Sequence, residues 1–213
     1  MERKLRTSVF TVVSPCLLWV AVLACASPVE LVEPPARKAD LFATAMRSGS
    51  LVVAVDSVTE SKRAVRYFGT DLREQGLLPA QIIVTNLGDT AVEVDPADVL
   101  VQRGRAVIDP VPVAYAAALC KETSGLTSGD EAEQIDAHFA KMAFESTVVA
   151  PGETVRGWMF FDVGVDEEKD VDENPWFRVV SLHGAGSSVS LRVAVTENGT
   201  RQRLHFGPFR LDR

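Results

Sequence analysis

The chain has 213 residues, 46% of them hydrophobic and 24% charged, with a formal net charge of −7. That length and balance suit one ordinary folded domain, or two small ones, and exclude a wholly disordered chain. Removing the first 24 residues, which carry Arg3, Lys4 and Arg6 against Glu2, leaves 19 basic and 28 acidic side chains, a body of charge −9. Such a body repels phosphate backbones and anionic headgroups, which argues against nucleic-acid binding and against membrane adsorption driven by net charge.

The first element in chain order is MERKLRTSVFTVVSPCLLWVAVLACA: a basic start, an apolar run from about Val9 to Ala24 and a small-residue end, the three parts of a secretory leader. The run falls short of the roughly 20 residues that a spanning helix needs and contains Pro15, so an uncleaved anchor is the second choice. Val22, Leu23, Ala24 and Cys25 at its end resemble the lipobox of bacterial lipoproteins, with Val22 where leucine is commoner. The resemblance implies a 1–24 signal peptide cut just before Cys25, diacylglycerol on the Cys25 thiol, and often a further acyl chain such as palmitate on the new amino end. Several acyl chains, at about 0.8 kcal/mol per buried methylene, hold a protein to a bilayer far more firmly than one. The competing reading is an ordinary leader cut after Ala24 or Ala26 with an incidental cysteine. Ala26 and Ser27 lack the aspartate that favours inner-membrane retention of such lipoproteins, which implies the outer membrane in a cell that has one.

Residues 25–40 include SPVELVEPPARKAD, three prolines mixed with charges and without a stable period, and read as a flexible tether with a reach of about 20 Å. The domain proper is expected over 41–213. From Ser50 onward the apolar period is mostly two, with strand candidates at 50–58, 63–69, 80–88, 91–95, 98–108, 145–150, 154–163 and 176–184, separated by turn residues. The chain closes on a predicted hairpin: Val189, Leu191, Val193, Val195, Leu204 and Phe206 inward, and Arg201, Arg203 and His205 outward. Between them Glu197-Asn198-Gly199-Thr200 supplies an Asn-Gly pair suited to a tight turn.

The segment at about 110–144 interrupts this pattern. Ser128-Gly129-Asp130-Glu131 matches a capping box, and Ile135, Phe139 and Met142 follow at helical spacing. Ahead of it, Asp109 is placed to cap a short helix in PVPVAYAAALCK. Such an insertion is expected to lie over one edge or end of an antiparallel sandwich, where it would suppress strand-to-strand aggregation. Two strings, YFGTDLREQGLLPAQIIVTNLGDTAVEVDPADV and PGETVRGWMFFDV, resemble parts of the immunoglobulin-like domains of uncharacterised bacterial envelope proteins. Together they cover about 45 residues and neither is catalytic; the resemblance implies a mainly β, antiparallel immunoglobulin-like sandwich with a short helical insertion.

The three cysteines, Cys16, Cys25 and Cys120, form no CxxC or Cys/His cluster, so no zinc site and no cofactor is expected. With Cys16 lost and Cys25 acylated, Cys120 is a lone thiol and reads as a small buried hydrophobe. The stretch 166–174 offers Asp170, Asp172 and Asn174 in alternation, but lacks the glycine that an EF-hand loop needs and carries Lys169, so a solvated connection is preferred to calcium. His138, His183 and His205 are scattered, and Ser181 and Ser187 lack a GxSxG elbow. On the strand at 154–163 Trp158 and Phe160 share one face, Met159 and Phe161 the other. Either the strand is central or the inserted helices cover Trp158 and Phe160; left exposed, those two rings would be the best candidate partner surface.

The function expected from all this is a non-enzymatic, lipid-anchored envelope module that binds an envelope protein partner or supports assembly. The alternatives are a small-molecule hydrolase using Cys120, Tyr115 or His138, and a metal- or carbohydrate-binding sandwich.

Overall fold

The computed structural model describes residues 31–164, 189–198 and 202–211. Cys25, the strand candidate at 176–184, the acidic stretch 166–174, His183, Ser181 and Ser187 therefore lie outside the described residues. Along the chain run β1 (Met46–Ser48), β2 (Leu51–Ser57), α1 (Ser61–Phe68), β3 (Leu77–Asn86), β4 (Val92–Arg103), β5 (Ala106–Ile108), β6 (Pro110–Val111), α2 (Val113–Ser124), α3 (Asp130–Met142), β7 (Thr147–Val149), β8 (Thr154–Asp162), β9 (Val189–Glu197) and β10 (Arg203–Arg210).

The strands form two antiparallel sheets, β1-β2-β3-β8-β6 and β10-β9-β4-β5, with β7 pairing the first part of β4. Taking β2, β3, β4, β5, β6, β8, β9 and β10 as strands A, B, C, C′, D, E, F and G gives A-B-E-D facing C′-C-F-G, the immunoglobulin-like order. The two helices of the insertion sit in the D-to-E connection. Period-two patterning does what it should: Val53 and Val55, Ile82 and Val84, and Phe161 meet Val94, Val101, Leu191 and Val193 between the sheets. The separate candidates 91–95 and 98–108 are one strand, β4, whose register shifts between Val94 and Val99, followed by β5. The closing hairpin forms with Leu204 half-buried and Phe206 buried. The Glu197 N–H donates to the Gln202 carbonyl at 2.9 Å, and the expected Asn198-Gly199 turn lies partly outside the described residues.

A second core lies on the outer face of the first sheet. Here the 63–69 strand expectation is overturned: those residues belong to helix α1. Ala64 and Phe68, four apart, turn inward while Lys62, Val65 and Arg66 face out, so the helical period beats the alternation of Val65 and Tyr67. Gly69 ends the helix at φ 78°, its N–H donating to the Val65 carbonyl at 2.8 Å. Phe68 becomes the hub of an aromatic cluster, 5.1 Å from Trp158 and 5.6 Å from Phe160 between ring centroids, with Phe139 of α3 at 5.8 Å.

The insertion is helical where expected, with Ile135, Phe139 and Met142 buried, but neither predicted cap forms. Pro112 stands at the start of α2, so Asp109 lies too far upstream, and Gly129 at the start of α3 leaves Ser128 outside. The first turn of α3 instead carries Asp130, Glu131 and Glu133, which favour the positive end of the helix dipole. The insertion covers more than an edge. Its ends pair with the free side of β8, Pro110 and Val111 with Phe161 and Phe160, and Ala143 with Trp158, while its helices lie across the sheet face. Gly157 permits that closeness: a Cβ there would stand 2.3 Å from the Cα of Phe144.

Candidate functional site

Trp158 and Phe160 are each 1% exposed, roofed by α1, α2 and α3. The condition under which they would form an open partner surface is not met; they are the floor of the helical layer. Cys120 is buried in the same layer and its thiol donates to the Phe68 carbonyl. Burial pushes that thiol's pKa up, the opposite of what a nucleophile needs. Tyr115, five residues earlier on α2, is 50% exposed, and His138 of α3 donates from Nε2 to the Tyr67 carbonyl at 2.9 Å. No hydrogen bond joins Cys120, Tyr115 and His138 among the described residues, and none of the three activates another. Among those residues there is also no group of three or more metal-ligating side chains. His205 projects from the outer face of β10, far in the fold from α3.

What the structure does bring together was not singled out in the sequence. Register sets Asp56, Gln81 and Trp158 side by side across β2, β3 and β8, on the outer face. The Asp56 carboxylate pairs with Arg63 of α1 at 2.6 Å, and the Arg63 guanidinium lies 5.8 Å from the centre of the Tyr67 ring. Burial works to lower the Arg63 pKa, but the hydrogen bond and charge of Asp56 outweigh it, and the guanidinium ends above its ordinary value. Gln81 is 4% exposed, and the Trp158 Nε1 is buried without a hydrogen-bond partner among the described residues. This row holds a neutralised ion pair and amide and indole dipoles. Gln81 and Trp158 in it are covered by the layer above the sheet, so the row is a polar seam inside the fold rather than an open site. The signal that could have found it is Gln81, a polar residue in a strand of which all ten residues are buried.

The expected flexible tether also differs. Residues 31–39 are strapped to the outer layer: the Val32 N–H donates to the Arg66 carbonyl at 3.1 Å, and Arg156 Nη1 to the Pro34 carbonyl at 2.9 Å. Glu33 pairs with Lys141, whose hydrogen bond and charge hold its carboxyl below the ordinary range. Ala39 is fully buried over β2 and β3, its N–H bonded to Thr85 Oγ1 at 3.0 Å. Proline-rich composition suggested freedom, yet prolines stiffen an extended segment and lower the entropy lost on docking. Only residues 25–30 remain of the expected tether outside the described strap.

Fold and site together define the class: an antiparallel immunoglobulin-like β-sandwich with a helical layer over one sheet. No protein-family model matches the sequence, and no curated protein matches it either. Among solved structures the chain is similar to the ycdA protein of Bacillus subtilis, described as a candidate lipoprotein, with 15% identity and a TM-score of 0.38; the match covers 76% of this chain and 37% of that one. It is also similar to the yjhA protein of Bacillus subtilis, at 11% identity and TM-score 0.35, covering 70% and 77% of the two chains. A FixG-related protein from Vibrio parahaemolyticus matches at 10% identity and TM-score 0.34, over 74% of this chain and 92% of its own.

Proposed function

We propose that the protein is a lipid-anchored component of a bacterial cell envelope whose sandwich acts as a non-enzymatic binding or assembly module. The observation that carries this reading is the string Val22-Leu23-Ala24-Cys25, which resembles a lipobox at the end of a leader-like run and is followed within a few residues by a chain already strapped to its domain. Cys25 is then the first residue of the mature protein and the point of membrane attachment, with Ala26 and Ser27 directing it to the outer membrane in a cell that has one. The burial of the Cys120 thiol, spent on the Phe68 carbonyl, and the His138 ring nitrogen spent on the Tyr67 carbonyl favour binding over covalent chemistry. No helix among the described residues is long and apolar enough to cross a membrane. Membrane fractionation of the intact protein against Cys25→Ser, with intact mass measured on both, tests the anchor. The expected result is a mass increase from diacylglycerol and membrane retention that Cys25→Ser abolishes; equal retention of both forms sinks the reading. In-cell crosslinking from the domain then identifies the envelope protein it touches.

A further inference from the structure

If Cys25 carries lipid, the side of the domain that faces the membrane follows from the strap. Leu31 packs against the helical core and Val32 is bonded to α1, so only residues 25–30 separate the acylated thiol from the folded surface. At no more than about 3.6 Å per residue, that stretch spans about 20 Å. The surface around Leu31 must therefore sit close to the headgroups.

That surface is basic, although the body as a whole is acidic. Lys62, Val65 and Arg66 make the outward face of α1, with Val65 48% exposed, and Arg37 and Lys38 stand exposed on the strap. None of these four cations has an ion pair among the described residues; Glu33 and Asp56 are taken up by Lys141 and Arg63, and Asp40, two residues past Lys38, is an exposed acid of the strap. Glu60, just ahead of α1, is the one acid adjoining that helix in sequence. The acids of the insertion gather instead in the first turn of α3, and others sit on β4 at Glu93, Asp95 and Asp98. Net charge averages over faces, and a tethered domain presents only one.

We propose that the outward face of α1, with Arg37 and Lys38 of the strap, docks on anionic phospholipid headgroups and sets the orientation of the domain, leaving the outer face of β9 and β10 turned away from the membrane. The inference rests on the lipid reading of Cys25. Short polybasic surfaces of this kind gain about fivefold in affinity per cation at an anionic bilayer, and the gain is lost with salt.

The test uses the mature lipoprotein, extracted with its lipid and reconstituted in vesicles of phosphatidylcholine alone or mixed with phosphatidylglycerol. One fluorophore is placed at Val65→Cys and another at His205→Cys, with buried Cys120 out of reach of the reagent, and quenching by a headgroup-labelled nitroxide lipid is measured. The expected result is stronger quenching at position 65 than at 205 in phosphatidylglycerol vesicles, reduced about fivefold or more by K62E/R66E or by high salt. Equal quenching at both positions, or quenching at 65 indifferent to phosphatidylglycerol, overturns the docking face while a lipid-bearing intact mass leaves the anchor standing. An intact mass without lipid overturns both.

Discussion

At the scale of the residue, Trp158 makes two opposite demands. Its ring is gripped by Phe68 and Tyr67, at 5.1 and 6.1 Å, while its indole N–H is buried without an acceptor among the described residues. Losing the ring leaves a cavity, and losing only the N–H removes an unsatisfied donor. Trp158→Ala is therefore expected to cost about 3–5 kcal/mol in chemical denaturation. Trp158→Phe should stay within about 1.5 kcal/mol of the parent, because part of the lost packing is offset by removal of the orphan. Cys120 gives a pH signature. Burial raises its pKa in the folded chain, so above the ordinary thiol value, about 8.5, the unfolded state sheds the proton first and gains stability. Stability is thus fully present below that value and declines as pH rises through it toward the folded pKa. Denaturation curves from neutral to alkaline pH should fall more steeply for the parent than for Cys120→Ala.

At the scale of the element, the strap is the part most exposed to a small change. The Thr85 hydroxyl accepts from the Ala39 N–H and so has its own proton free for Thr154 Oγ1, 3.0 Å away. Thr85→Val keeps the shape and removes both bonds, leaving the buried Ala39 N–H without a partner. The expected cost is about 1–3 kcal/mol, with faster amide exchange at Ala39 and unchanged protection in β3. Strands were the legible elements, because a face that is half dry writes a period of two into Val189-Leu191-Val193-Val195 without outside help. The α1 segment was not, since eight residues hold only two inward positions, Ala64 and Phe68, and Val65 and Tyr67 between them mimic a strand. The strap was illegible for a different reason: what fixes it is backbone hydrogen bonding to Arg66, Arg156 and Thr85, and side-chain patterning carries no trace of that. The polar row of Asp56, Gln81 and Trp158 depends on strand register, which short-range sequence does not encode.

At the scale of the whole molecule, β3 and β8 hold the layers together. Each sends alternate residues into the inter-sheet core and the rest into the helical or strap layer, so neither core can open without exposing the other. Far-ultraviolet and near-ultraviolet circular dichroism should therefore report one coincident unfolding transition; two separated midpoints would show that the helical layer melts independently.

The two ends of the insertion return to neighbouring positions on one strand, at Phe160–Phe161 and at Trp158. Everything between them is a closed detour that starts and stops at one address on the sandwich. Such a detour can lengthen, shorten or change its outward residues across descendants of this chain while the strand order beneath it stays fixed. Variation in the outward face of the insertion is thereby separated from inheritance of how the domain folds.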